Sequence, residues 1–206
     1  MCADPVSFTL TLVRHGESEA NASGTIAGWL DVPLTERGKA ELLQLRSTVR
    51  YPESDIYYSS SLKRAYDTCR ILFPFSSPII SDDFREISFR SLEGRRFPSR
   101  EDTDEFFRSW QNGHNTADEE TMDEAMERIG KAVIRTVRSC EEKGLSSALI
   151  VMHSGNMRCA LISLFGLERS AFMEMSVPNG LGYIVRFSGL QPVSFRPLRP
   201  EGCAVC

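Results

Sequence analysis

Short apolar runs alternate with amphipathic segments along most of this chain. Six of the runs predict strands, and the unbroken apolar run at 148–152 is typical of a central strand covered on both faces. The predicted strands span residues 8–13, 56–58, 78–80, 148–152, 183–187 and 192–195. The last two predict a hairpin that turns at Ser188-Gly189.

Apolar residues at helical spacing predict four helices between these strands. The longest opens with a capping box formed by Thr121 and Glu124 and ends at Gly144. Strands that alternate with helices predict a mostly parallel, three-layer α/β/α fold. The predicted helices span residues 35–49, 62–72, 121–143 and 156–165.

No internal repeat, low-complexity tract or linker divides the chain, so residues 1–206 are predicted to form a single domain. Between Glu101 and Glu127 lie ten of the 28 acidic residues and a single base, Arg108. That imbalance predicts a solvated, helical excursion rather than core. Residues 198–206 are expected to form a flexible tail.

Composition and charge narrow the functional classes. The 206 residues are 41% hydrophobic and 25% charged, and a net charge of −4 offers nucleic acid no broad basic field. No apolar run has the length of a membrane span, and the first residues lack the basic and apolar regions of a secretory signal. We therefore expect a cytoplasmic protein. No helix offers a sustained heptad repeat from which an oligomeric state would follow.

The six cysteines fit that location. Cys69, Cys140 and Cys159 fall on apolar helix faces and are predicted to be reduced core residues. Cys203 and Cys206 form a CxxC, but it lacks the second pair or nearby histidine that a metal site needs. The last four residues also fit a loose prenylation box. A terminal cysteine and the lack of a polybasic stretch before it favour an unmodified tail.

Three predicted strand ends carry groups suited to phosphate. Arg14-His15-Gly16 follows the first strand, and open α/β sheets place their ligand sites at such ends. Arginine can bind two phosphate oxygens together, and a neutral imidazole can attack phosphorus. Arg64 stands in the first turn of a helix after three serines, and His153-Ser154-Gly155 follows the most buried strand. Glu86 adds a carboxylate from a turn-rich stretch.

Each of these residues also has a structural interpretation. Arg64 could lie on the surface of an amphipathic helix, and His153 could be a satisfied core histidine. Glu86 could pair with a neighbouring arginine at the surface, where an ion pair contributes little. Glu93 is a second candidate for a catalytic acid. Neither an HExxH pattern nor a close pair of histidines predicts a metal site.

Four segments resemble, in chain order, the signatures of the histidine phosphatase superfamily, also called phosphoglycerate mutase-like. Together they cover most of the chain from Phe8 to Phe187. The first is Arg14-His15-Gly16-Glu17-Ser18 with Asn21, followed by Gly28-Trp29 and Leu34-Thr35-Glu36-Arg37-Gly38; the others are Ser59-x-Ser61-Leu62-x-Arg64-Ala65-x-x-Thr68, Arg85-Glu86-Ile87-x-Phe89-x-x-Leu92-Glu93-Gly94 and Val151-Met152-His153.

The resemblance implies a role for each candidate. His15 would be the nucleophile that becomes phosphohistidine, and Glu86 would protonate the leaving oxygen. Arg14, Arg64 and a cationic His153 would hold the phosphoryl oxygens, so that no magnesium or other cofactor is required. Asn21 is a further candidate for the same phosphate pocket. The excursion at about 97–121 would form a helical lid that contacts the non-phosphate part of the substrate.

The chain departs from the family pattern at three positions. Ser154 replaces the glycine that commonly follows the second histidine, and Arg90 and Leu92 stand where glycine and tryptophan are common. Arg90 could contact a second anionic group on the substrate, together with Arg85, Arg95, Arg96 and Arg100. A solvated arginine surface is an equally good interpretation of this cluster.

These residues predict a metal-independent phosphomonoesterase that acts on a small phosphorylated metabolite, as α-ribazole phosphatases do. A phosphoglycerate mutase or bisphosphatase is the alternative. Against it, Arg85-Glu86-Ile87-Ser88-Phe89 replaces the Glu-Arg-His-Tyr-Gly type of segment found in mutases, and the stretch from Glu86 to His153 is short. A non-catalytic protein that binds phosphorylated ligands is a third interpretation, which the complete set of candidate residues disfavours.

Overall fold

One six-stranded sheet organises the computed structural model, which describes residues 6–115 and 117–200. The strand order is β3-β2-β4-β1-β5-β6. The first four strands in that order run parallel to one another, β5 runs antiparallel to β1, and β6 runs antiparallel to β5. The predicted mostly parallel sheet is confirmed. The strands are β1 (Phe8–Arg14), β2 (Ile56–Ser60), β3 (Ile79–Ser81), β4 (Ser147–Met152), β5 (Gly182–Ser188) and β6 (Gln191–Leu198).

Seven α-helices connect the strands of the described chain, four of them close to the predicted positions. The sequence pattern did not predict the two shortest, α1 and α7, because four or five residues carry too little periodicity. The helices are α1 (Glu19–Ser23), α2 (Glu36–Thr48), α3 (Lys63–Leu72), α4 (Arg100–Gln111), α5 (Met122–Glu142), α6 (Ser154–Phe165) and α7 (Ala171–Glu174).

Helices cover both faces of the sheet, so the predicted three-layer α/β/α fold is confirmed. Alternate residues of a strand point to opposite faces. Leu12 of β1 therefore packs with α5 and α6 in one apolar cluster, whereas Val13 packs with α2 and α3 in another. β4 is buried on both faces, as its continuous apolar run predicts.

One face of the acidic segment is buried in the core, which corrects the prediction that the segment lies outside it. Phe106 and Trp110 of α4 are buried, and Trp110 is fully inaccessible to solvent. Its indole packs on Phe172 and donates a hydrogen bond from Nε1 to the carbonyl of Glu120 (2.8 Å). Acidic residues occupy the outer face of the helix, and aromatic residues at helical spacing occupy the inner face. The net charge of the segment reflects the outer face alone, so it did not predict the buried one.

No helix in residues 6–115 and 117–200 is long and apolar enough to cross a membrane. Cys69, Cys140 and Cys159 are buried free thiols, as predicted. The CxxC at Cys203 and Cys206 lies outside the described residues.

Strand register places the two histidines side by side. β1 and β4 are parallel neighbours in which Arg14 is opposite Met152. The next residue of each strand is therefore His15 and His153, and the His15 amide donates to the Met152 carbonyl (3.0 Å). β2 lies on the other side of β4, so its terminal serine reaches the same edge of the sheet.

The buried face of α4 predicts the effect of Trp110→Ala. Loss of the indole should lower the free energy of unfolding by about 3–5 kcal/mol, the usual cost of truncating a fully buried tryptophan. Phe75→Ala is the matched control, because Phe75 is fully exposed and its loss should change stability by less than about 0.5 kcal/mol. Urea unfolding measures both variants. Equal stabilities would show that α4 is not anchored in the core.

Candidate active site

His15 and His153 form the centre of a polar cluster at the carboxyl edge of the sheet. Their ring centroids are 5.0 Å apart, and both side chains are almost completely buried. Ser60, the last residue of β2, contacts His153 with its Oγ 2.9 Å from Nε2. The edge therefore joins residues from three adjacent strands.

One tautomer of His15 is fixed by its surroundings. Nδ1 lies 2.7 Å from the carbonyl oxygen of Gly16, which can only accept, so Nδ1 carries the proton and Nε2 keeps a free lone pair. Burial, together with the positive charges of Arg64 and Arg14, lowers the pKa of His15 well below its usual value of 6.5. The imidazole is therefore neutral at physiological pH and has one nitrogen free to act as a nucleophile.

Hydrogen bonds from two other elements hold the loop that carries His15. The amide of Gly16 donates to Oγ1 of Thr68 in α3 (2.9 Å), and the same hydroxyl donates to the carbonyl of Arg64 (2.7 Å). The Asn179 side chain donates to the His15 carbonyl (2.8 Å). Because the Gly16 carbonyl orients the imidazole, Thr68 positions His15 indirectly.

The guanidinium groups of Arg14 and Arg64 are buried. Both are anchored by main-chain carbonyls and not by carboxylates. Arg14 donates from Nη1 to the carbonyl of Val177, and Arg64 donates from its two terminal nitrogens to the carbonyls of Leu30 and Gly28, each at 2.7 Å. The Nε atoms of both residues are buried and have no hydrogen-bond partner within the described chain. Burial lowers the pKa of Arg14 to about 10, so it remains charged.

His153 differs from the sequence expectation in its charge. Burial and the nearby guanidinium of Arg64 lower its pKa well below 6.5, so the protein alone keeps this ring neutral and not cationic. Its Nδ1 is buried and, among the described residues, has no partner. An incoming phosphate would supply the opposite charge that favours protonation of the ring.

The carboxylate of Glu86 caps the first turn of α6. Oε2 accepts the amide of Gly155 (3.0 Å), and Oε1 accepts the amides of Asn156 (2.8 Å) and Ile87 (3.0 Å). A Cβ at position 155 would lie 2.7 Å from Oε1, so only glycine lets the carboxylate approach the helix this closely. Glu86 is thus held against the element that begins at His153.

Arg128 of α5 fixes the main chain around Glu86. It forms an ion pair with Glu120 (2.7 Å) and donates to the carbonyls of Asp83, Arg85 and Glu86. Asn156 adds a hydrogen bond to the Arg85 carbonyl. This part of the site is therefore rigidly supported from α5 and α6.

Glu93, the second candidate for an acid, has a structural role. Its Oε1 accepts the amides of Trp29 (2.8 Å) and Phe89 (3.1 Å) and so joins the two loops above the sheet edge. The Trp29 indole in turn donates from Nε1 to the Glu86 carbonyl (2.7 Å).

A cavity of about 710 Å³ opens over these groups. Arg14, His15, Asn21, Arg64 and Glu86 line it, so the structure brings most of the predicted residues together. The side-chain oxygen of Asn21 accepts hydrogen bonds from the amide and hydroxyl of Ser18, at the start of α1.

Arg90 lies elsewhere, which corrects its predicted place in the substrate pocket. It lines a different groove, beside Glu124 and Arg128, and its main chain has a positive φ of 44°. Arg96 and Arg100 of the same predicted cluster do line the cavity, and both are exposed.

Within residues 6–115 and 117–200, no group of three or more His, Cys, Asp or Glu side chains is placed to hold a metal ion. The buried arginines Arg14 and Arg64 line the cavity together with the carboxylate of Glu86, so this part of it carries an excess of positive charge. Such a pocket suits a dianion, which would also satisfy the unpartnered Nε atoms.

Arg128 and Arg158 are functional candidates that the sequence did not indicate, and Thr68 was named only as part of the second signature, without a role. The contacts of Thr68 and Arg128 are visible only in the structure. Arg158 could have been found from the sequence, because it is the single charged residue in the mostly apolar predicted helix at 156–165.

Known proteins are similar to this chain in sequence and in fold. A model of the histidine phosphatase superfamily (branch 1) matches residues 10–195. A 2,3-bisphosphoglycerate-dependent phosphoglycerate mutase from Corynebacterium glutamicum is 28% identical over 208 residues, which cover 84% of this chain and 83% of that protein.

Two solved structures have the same fold. The α-ribazole phosphatase from Shigella flexneri superimposes with a TM-score of 0.76 at 24% identity, over 96% of this chain and 99% of that one. A phosphoserine phosphatase from Entamoeba histolytica, in complex with 3-phosphoglyceric acid, gives a TM-score of 0.69 at 22% identity, over 91% and 96%.

The lowered pKa values of the two histidines predict a pH-dependent stability. Below about pH 6.5 the unfolded chain binds protons at both positions and the folded chain does not, so acidification favours unfolding. Between pH 7.5 and 5.5 each histidine should account for a loss of about 1.4 kcal/mol in the free energy of unfolding.

Urea unfolding at the two pH values tests this. His153→Gln should reduce the pH-dependent loss by that amount, and His15→Asn should do the same. His114→Gln, which removes the exposed third histidine, is the control. The prediction is wrong if all three variants retain the wild-type difference between the two pH values.

Proposed function

The chain belongs to the histidine phosphatase superfamily, and from that premise we propose that it is a metal-independent phosphomonoesterase acting through a phosphohistidine at His15. The single observation that carries the proposal is the state of His15. It is neutral, its Nδ1 is anchored on a carbonyl, and its free Nε2 lies among buried arginines with unsatisfied donors. A nucleophile for a phosphate dianion needs each of these properties.

In the first step, Nε2 of His15 attacks phosphorus and the bond to the leaving oxygen breaks. Glu86 delivers a proton to that oxygen, so the alcohol departs neutral. Arg14, Arg64 and His153 stabilise the charge on the transferring oxygens. Asn21, at the rim of the same cavity, is proposed to contact the phosphoryl group as well.

In the second step, water attacks phosphorus and the bond to His15 breaks. Glu86 accepts a proton from the water, and inorganic phosphate leaves. The main-chain bonds that hold Glu86 at the start of α6 support this double use, because they keep the carboxyl group in one place for both proton transfers.

The second candidate is a phosphoglycerate mutase or bisphosphatase. The curated relative from C. glutamicum favours it, because that protein is named as a mutase. The chemistry would share the phosphohistidine and differ in its acceptor, which would be a second substrate oxygen in place of water. Exclusion of water from the cavity would decide between the two.

Phosphate release from p-nitrophenyl phosphate, with excess EDTA at mildly acidic and neutral pH, tests the proposal. Wild-type protein should turn over, and His15→Ala should lose at least about 1,000-fold in kcat. Mass spectrometry of acid-labile, alkali-stable adducts should locate a phosphoryl group on His15 in the wild type.

Undiminished turnover by His15→Ala would overturn the phosphohistidine step, and loss of turnover in EDTA would overturn metal independence. Interconversion of 2- and 3-phosphoglycerate without release of phosphate would favour the mutase. Absence of both activities, with tight binding of inorganic phosphate, would favour a non-catalytic binding protein.

Thr68→Val tests whether the support of the His15 loop matters. Valine keeps the shape of threonine but cannot accept the Gly16 amide, so the imidazole should lose its fixed orientation. We expect a fall in kcat of about 10- to 100-fold. Thr136→Val is the matched control, since Thr136 is also buried and its hydroxyl bonds only to Ala132 within α5. Equal kcat values in the two variants would show that the Gly16 contact has no catalytic role.

A further inference from the structure

Arg158 is a half-buried cation in the cavity wall that no step above uses. It lies in the second turn of α6, and its guanidinium carbon is 5.2 Å from the centre of the Phe172 ring. The ring of Phe107 stacks on that of Phe172, and the two ring centroids are 6.0 Å apart. All three side chains line the cavity that His15 and Glu86 also line.

Most of the donors of Arg158 have no partner in the protein. Nε donates to the carbonyl of Met175 (3.1 Å), which fixes the side chain in place. Within residues 6–115 and 117–200 the two terminal nitrogens form no hydrogen bond, and no carboxylate pairs with the group. The two terminal nitrogens therefore present unpaired donors to the cavity, an arrangement that suits an anionic ligand.

Arg158 lies close to the reacting groups and not at the entrance. Glu86 accepts the amides of Gly155 and Asn156 in the first turn of α6, and Arg158 lies in the next turn of the same helix. Burial lowers the pKa of Arg158, and the charge of Glu86 opposes that shift. Arg96 and Arg100 line the same cavity as exposed residues. Because Glu86 is assigned to the leaving oxygen, a group held beside it belongs to the leaving fragment of the substrate.

We infer that Arg158 binds a carboxylate on the leaving fragment, so that the preferred substrates are small phosphomonoesters of hydroxy acids. This inference rests on the proposed phosphatase function. The planar fork of arginine accepts a carboxylate through two parallel hydrogen bonds, and Phe172 keeps that fork oriented. Arg158 is a specificity-determining residue and takes no part in the transfer of the phosphoryl group.

Two pairs of substrates isolate the carboxylate. Phosphoethanolamine is phosphoserine without its carboxylate, and glycerol 3-phosphate is 3-phosphoglycerate with a hydroxymethyl group in its place. The measurement is kcat/KM for all four, and for p-nitrophenyl phosphate, in wild type, Arg158→Gln, Arg158→Lys and Arg138→Gln. Arg138 is an exposed arginine of α5 and serves as the control for loss of charge.

Wild type should prefer the carboxylate member of each pair. Arg158→Gln should lower kcat/KM for that member by about 10- to 100-fold, the value of a hydrogen-bonded charge, and change the other member less than about threefold. Arg158→Lys should restore part of the preference, and Arg138→Gln should leave it intact.

Equal losses on all substrates, p-nitrophenyl phosphate included, would assign Arg158 to the phosphate pocket and overturn the inference. So would an unchanged preference in Arg158→Gln, or a wild type that favours the members without a carboxylate while still hydrolysing p-nitrophenyl phosphate. In each of these cases the proposed phosphatase function stands.

Binding without turnover tests the inference separately from the reaction. Titration calorimetry of His15→Ala should show tighter binding of 3-phosphoglycerate than of glycerol 3-phosphate, and the difference should disappear when Arg158→Gln is added. Equal affinities in His15→Ala would overturn the inference, whether or not the wild type proves to be a phosphatase.

Discussion

The site depends on how four buried or half-buried guanidinium groups are held. Arg14, Arg64 and Arg158 are each anchored on main-chain carbonyls, and Arg128 combines such carbonyls with the carboxylate of Glu120. A carbonyl orients an arginine without neutralising it. The loops at 28–30 and 175–177 therefore fold around cations whose charge remains available in the cavity, whereas the segment at 83–86 folds around Arg128, which Glu120 neutralises. Carboxylate partners would have stabilised the same loops and removed the affinity for an anion.

The sequence was enough to locate the site residues that stand at the ends of strands or at the start of a helix. His15 and His153 follow apolar strands, and Arg64 begins a helix after a strand, so their convergence at one edge followed from the topology of a parallel sheet. The prediction for Arg90 was wrong because nearness in sequence to other arginines does not determine which groove a side chain lines: Arg96 and Arg100 line the cavity and Arg90 lines another groove. The contact of Thr68 with Gly16 spans 52 residues, and those of Arg128 with the carbonyls of Asp83, Arg85 and Glu86 span 42 to 45, so no periodicity reveals them.

The packing of the acidic segment could likewise not be predicted from its charge. Ten acidic residues in a short stretch suggest solvent on every side, yet Trp110 and Phe106 carry α4 into the core and bring Phe107 to the cavity wall. Net charge describes the face of a helix that meets water and says little about the opposite face. Proteins similar to this chain in sequence or fold are named as mutases and as phosphatases for different compounds. The fold alone therefore does not determine the substrate, and the cavity-wall residues Phe107, Phe172 and Arg158 are where we look for its determinants in this chain.

The position of the Glu86 carboxylate depends on a single residue, Gly155. The missing Cβ is what admits the Glu86 carboxylate to the start of α6, since a methyl group there would meet Glu86 and Ile87 at 2.7 and 2.6 Å. The three nearest atoms to such a methyl group belong to Glu86 and Ile87, and none belongs to an arginine or a histidine. One added carbon atom would therefore act first on the proposed acid, which makes position 155 the place where proton transfer could be lost separately from phosphate binding.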